Sequence, residues 1–132
     1  MTESFLNIDF NDVYEPKSMK EGEYQVRILS AVIKSSQKTG GDYLNVRLEI
    51  MNEPEAKDIN HVMMLPAPND DKKKANSRKA AILAFLKAFK LDTSGSINPD
   101  DMVGAVGWAI AVEEADPEYG MQNRIRKFVA GQ

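Results

Sequence analysis

Residues 22–52 read GEYQVRILSAVIKSSQKTGGDYLNVRLEIMN, and the fold turns on how this stretch divides. In its second half Leu44, Val46, Leu48 and Ile50 alternate with Tyr43, Asn45, Arg47 and Glu49. That is the period-two pattern of a strand with one buried face. The first half opens at Gly22 with Tyr24, Val26 and Ile28 on one parity, then passes to Ala31 and Ile33 on the other. A parity switch inside one strand requires a bulge or sharp bend, here near Leu29–Ser30. Lys38-Thr39-Gly40-Gly41-Asp42 between the halves supplies the glycines that a positive φ in a hairpin loop needs. The stretch therefore predicts a hairpin whose long, bent first strand can serve two sheets, as when a small barrel closes on itself.

Downstream, Glu53–Asp58 is a polar turn broken by Pro54, and Ile59–Leu65 is a third strand whose facing the sequence leaves ambiguous. Asp70 to Leu91 predicts the one substantial helix. Ile82, Phe85, Leu86 and Phe89 fall at i, i+3, i+4 and i+7, a core-facing stripe, with Asn69–Asp71 or Asn76-Ser77 as alternative caps. Pro99 suits the first position of a single helical turn. In the fourth strand Val106, Trp108, Ile110 and Val112 alternate with Ala105, Gly107, Ala109 and Ala111, so one face is bulky and the other nearly bare, and Trp108 is read as core in preference to a stacking platform. Residues 122–130 form the fifth strand. Residues 1–21 read as an acidic N-terminal arm, either packed on the body or, as a DNA mimic or docking segment, free of it. Residues 22–132 form the domain. Strand-strand-strand-helix-strand-strand, with a bent first strand, is the layout of a five-stranded OB-fold barrel, all-β with one main helix.

Composition narrows the function. The 132 residues contain no cysteine and one histidine, His61, which excludes disulfides and thiolate sites and disfavours a histidine-rich metal centre. No apolar run is long enough to span a membrane and no signal segment opens the chain, so a cytoplasmic protein is expected. The formal charge is −3, but it is unevenly spread. Residues 1–16 hold four acids and no base, and the rest holds all 17 Lys and Arg against 16 acids. Phosphate-loop, dinucleotide, nucleophile-elbow and zinc-protease motifs are absent. The acid pairs Asp70-Asp71, Asp100-Asp101 and Glu113-Glu114 lie near element ends, where capping or solvation accounts for them. Neither an enzyme, a metal nor a cofactor is expected.

Single-stranded nucleic acid is bound by a basic groove combined with aromatic faces on which bases stack. On an OB-fold that groove crosses strands two and three, between the loops joining strands one to two and four to five. The residues that fall there are Lys34 and Lys38, Tyr43 and Arg47, His61, Tyr119, and Arg124, Arg126 and Phe128, the last three on one parity. Each also has a plain reading: Tyr43 as a packing residue, Arg47 as a surface ion pair with Glu49. Lys72-Lys73-Lys74 is either a solvated face or an auxiliary phosphate contact.

Glu21-Gly22-Glu23-Tyr24, Lys38-Thr39-Gly40-Gly41-Asp42-Tyr43-Leu44, the helix Lys79–Leu91 and Tyr119-Gly120 with Asn123-Arg124-Ile125 together resemble phage-encoded single-stranded-DNA-binding proteins, long catalogued as a phage domain of unknown function. The resemblance covers most of the chain. It implies an OB-fold and protection of single strands in phage replication or recombination, inside the host cytoplasm. It carries over Tyr24, Gly41, Tyr43 and Asn123 as pattern positions. Many replicative single-strand binders end in an acidic tail, whereas this sequence ends Arg126-Lys127-Phe128-Val129-Ala130-Gly131-Gln132. Either the acidic arm is the contact for replication or recombination proteins, or recruitment is not part of the protein's task. The expectation is a sequence-tolerant single-stranded-DNA binder, and the alternative is an OB-fold interaction or assembly module that binds no DNA.

Overall fold

The computed structural model describes residues 5–37 and 41–130. Five strands, β1 (Gly22–Ser35), β2 (Asp42–Ile50), β3 (Ile59–Met64), β4 (Val106–Asp116) and β5 (Gly120–Val129), form one antiparallel sheet in the order β3-β2-β1-β4-β5. One helix, α1 (Lys72–Ala88), lies between β3 and β4, and a 3-10 turn spans Pro99–Met102. No ladder joins the edge strands β3 and β5, so the sheet is open; their nearest ring contact is His61 to Phe128, 5.1 Å between centroids.

The bend of β1 falls where the parity switch predicts. Its register with β2 runs from Ile28↔Leu48 to Ser30↔Arg47, so Leu29 has no partner. Before the bulge, Gly22–Arg27 pairs with β4, and Gly104 N–H and Ala105 C=O take up the backbone groups of Ile28. Beyond it β1 pairs with β2 alone. Val26, Ile28 and Ala31 are buried accordingly, but Ile33, expected on the same face, is 47% exposed, in the part of β1 that pairs with β2 alone and has no β4 beside it. In β2 the alternation holds throughout: Leu44, Val46, Leu48 and Ile50 are buried.

Asp71 caps α1 by accepting from Lys74 N–H at 2.7 Å, so the helix uses the earlier of the two candidate caps. Beyond its last turn Leu91 N–H reaches Leu86 C=O and Lys90 N–H reaches Lys87 C=O, with Lys90 at φ 56°. This is a Schellman closure with lysine where glycine is usual. Ile82, Phe85, Leu86 and Phe89 are buried, as their spacing predicts, and Asp70 grips Arg78 at 2.9 Å under the helix start. The Asp70 carboxyl is held below its usual range by the Ala67 N–H and then by Arg78.

Two expectations are corrected in β4 and β5. The inward face of β4 is its bare one: Gly107, Ala109 and Ala111 are buried, while Trp108 is only half-buried on the outer face. The end of α1 leaves no room for more, since a Cβ on Gly107 would lie 2.7 Å from the Ala88 carbonyl oxygen. In β5 the register steps from Ala111↔Ile125 to Ile110↔Lys127, a bulge at Arg126 that inverts the parity beyond it. Phe128 therefore faces inward opposite Ala109, its ring 5.3 Å from Phe85 and 5.7 Å from Phe89, rather than outward beside Arg124.

The arm divides at Tyr14. Residues 5–13 are exposed, whereas Tyr14 donates to the Pro54 carbonyl, Lys17 bridges to the Glu55–Lys57 segment, and Met19 is clasped by Asn123. Asn123 accepts from Met19 N–H at 2.7 Å and donates to Met19 C=O at 2.8 Å. It is the one buried polar residue among the described residues, and its two bonds to Met19 hold the arm to the sheet. Tyr24 is likewise structural: its hydroxyl donates to Lys20 C=O at 2.6 Å, and burial, with Glu53 and Glu113 nearby, raises its pKa.

Candidate functional site

The register of β1, β2 and β3 stacks three outward rows. Lys34, Tyr43 and Met64 form the first, Val32, Asn45 and Val62 the second, and Ser30, Arg47 and Asn60 the third. Because Leu44, Val46 and Leu48 are committed to the core, their neighbours in sequence must face out. Val32 and Val62 are nearly half exposed, and between them Asn45 carries the one buried side-chain oxygen without a hydrogen-bond partner among the described residues. The face is apolar at its centre and cationic at both ends.

Beyond the third row the β4–β5 turn rises alongside. Asp116 organises it by accepting from the N–H groups of Glu118 and Tyr119, at 2.8 and 2.9 Å, and Gly120 completes it at φ 75°. Lys57 Nζ donates to the carbonyls of Tyr119 and Met121 and so fixes the turn against the β2–β3 connection. Tyr119 is left 65% exposed. A cleft of about 710 Å³ runs between Pro16, Arg47, Asp58, Asn60, Tyr119 and Gln122. It continues past Asn60, Tyr119 and Gln122 into a second hollow of about 340 Å³ bounded by Glu114, Asn123 and Arg124.

Of the predicted site residues, Arg47, Tyr119 and Arg124 thus share one trough, and Tyr43 and Lys34 extend the same outer face away from it. Arg126 lies apart, 3.8 Å from Glu21. His61 is not on this face: it shares the inward parity of Ile59 and Met63, opposite buried Val46, and burial lowers its pKa. Phe128 is in the core beside it. Lys38 lies outside the described residues. Asn60, Gln122, Asp58 and Glu114 belong to the trough but were not singled out. Asn60 required the facing of β3, which an apolar residue on either parity conceals.

The electrostatics are those of paired charge. Arg47 binds Asp58 at 2.9 Å, not Glu49, which instead meets Arg27 across the β1–β2 ladder at 2.5 Å. Arg124 is paired with Glu114 across the β4–β5 ladder. All five arginines of the chain are held by carboxylates. An anionic group entering the trough would find each guanidinium already paired and would have to exchange or share its carboxylate. Among the described residues no three His, Cys, Asp or Glu side chains gather as a metal-binding group, and no helix is long and apolar enough to cross a membrane.

A single open sheet of five antiparallel strands, with one helix across it and a trough beside the β4–β5 turn, defines a mostly-β domain. The chain belongs to the family described as protein of unknown function (DUF669), whose model matches residues 6–120. No curated protein matches it.

Proposed function

We propose that the protein is an OB-type domain that binds single-stranded DNA without sequence preference, along the outer face of β1–β2–β3 and the trough beside the β4–β5 turn. The observation that carries this reading is the convergence of Tyr119, Arg47 and Arg124 on one trough that continues the Lys34–Tyr43 row. Phosphates would be met by Arg47, Arg124 and Lys34, and bases would stack on Tyr119 and Tyr43, each stacked base contributing roughly 1–3 kcal/mol. The strand order and the approach of His61 to Phe128 support a barrel-like closure between β3 and β5. The resemblance to phage single-strand binders supports a role in replication or recombination within the host cytoplasm, without catalysis.

Fluorescence anisotropy with labelled oligo-dT tests the reading. Binding should weaken steeply with salt, resist duplex competitor, and fall in Tyr119→Ala and Arg47→Ala proteins that melt normally. Absence of binding at low salt rejects it. A second reading, a protein-interaction module without DNA affinity, is favoured by the carboxylate held on every arginine. A partner retained by both variants would support it.

A further inference from the structure

Two surfaces of this chain stand unpartnered and complement each other. The first is the arm. Phe5, Leu6, Ile8, Phe10 and Val13 are between 59% and 85% exposed, interleaved with Asp9 and Asp12, in a segment without a base. So dense a run of exposed large apolar residues is the mark of an interaction segment. The second is α1, which carries five lysines and one arginine and no acid along its length. Its core stripe of Ile82, Phe85 and Leu86 leaves Lys73, Ala80, Ala84 and Lys87 on the opposite side, flanked by Leu83 at 40% exposure. Among the described residues no ion pair involves Lys73 or Lys87.

We infer that the acidic, apolar arm of one copy docks on the outward face of α1 of a second copy. Charge is complementary: Asp12 meets the lysine at one end of the face, and Phe5, Leu6, Ile8 and Phe10 are laid along Ala80, Leu83 and Ala84. Size matches as well. Residues 5–13 extend over about 30 Å, and 17 helical residues span about 25 Å. The occupant is a second copy because the arm's last anchor on its own body is the Tyr14–Pro54 contact, and residues 5–13 beyond it stay exposed in the single chain instead of lying on its own helix. Such a contact joins unlike surfaces, so it links copies head to tail unless two arms are exchanged reciprocally.

Sedimentation velocity of the full chain, without DNA, tests this independently of nucleic-acid binding. Concentration-dependent self-association is expected at low salt and dissociation at high salt. Asp9→Lys with Asp12→Lys, or Lys73→Glu with Lys87→Glu, should each weaken association about tenfold or more by setting like charges opposite one another. Combining the four substitutions should restore it. Circular dichroism should be unchanged throughout, since all four side chains are exposed. A chain that stays monomeric at low salt, because its arm binds its own helix or another protein, overturns the inference. So does association indifferent to either charge reversal, or not regained when both are combined.

Discussion

The β1–β2 and β4–β5 hairpins bury their inner faces against different things. β2 presents Leu44, Val46, Leu48 and Ile50 to side chains of the core, and large aliphatics fill the space. β4 presents Gly107 to the end of α1, where a helix backbone already fills the space, and Ala109 and Ala111 follow on the same buried face opposite Phe128 and Ile125. The volume of a buried face is thus set by what packs against it. A strand against side chains needs bulk, and a strand against a helix end needs its absence, so Trp108, Ile110 and Val112 turn outward.

The sharpest way to break this contrast is to make opposite changes in the two strands. Leu48→Ala, at a fully buried site, removes bulk where side chains fill the space, and urea unfolding should register a loss of about 2–5 kcal/mol. Gly107→Ala adds bulk beside the Ala88 carbonyl, and the same measurement should lose about 1–3 kcal/mol. If Gly107→Ala is neutral, the helix end yields and the bare face has another cause.

The two edges of the sheet approach each other where His61 of β3 meets Phe128 of β5, and there packing can be probed with pH. Burial lowers the His61 pKa in the folded protein, so the unfolded chain takes up the proton first as pH falls. Stability should hold above about 6.5 and decline below it, by at most about 1.4 kcal/mol per pH unit, until the folded imidazole also protonates. His61→Gln should flatten the urea midpoint over this window. An unchanged slope would mean that the seam opens enough to hydrate the ring.

These seams also mark what the residues alone disclose. The β1 bend was legible because Val26–Ile28 and Ala31 change parity within one run, and the α1 stripe because Ile82, Phe85, Leu86 and Phe89 keep one period. Part of the outer face followed from the same reasoning, since the burial of Leu44, Val46 and Leu48 forces Tyr43 and Arg47 outward. Trp108 was misplaced because bulk is ordinarily the sign of an inward face. Phe128 was misplaced because the bulge at Arg126 leaves no sign in composition. Charge was least legible: Arg47 finds Asp58 across the β2–β3 connection and Arg124 finds Glu114 across a hairpin, pairings that exist only once the register does.

The smallest effect on stability is expected at one of those pairs, and its effect on binding should run the other way. Arg47 and Asp58 are 61% and 32% exposed at their side chains, so water and salt screen their attraction. Asp58→Asn should change stability by less than about 1 kcal/mol. It also removes the carboxylate with which an incoming phosphate must compete for Arg47, and it takes one negative charge out of the cleft. Oligo-dT affinity should therefore rise severalfold at low salt, and its dependence on salt should steepen as Arg47 becomes a full phosphate contact. Glu49→Gln is the matched control, because Glu49 pairs with Arg27 and does not line the cleft. Equal gains from both substitutions would reduce the effect to net charge. A gain confined to Asp58→Asn would mean that the carboxylate which the β2–β3 connection places in the trough holds Arg47 back from phosphate.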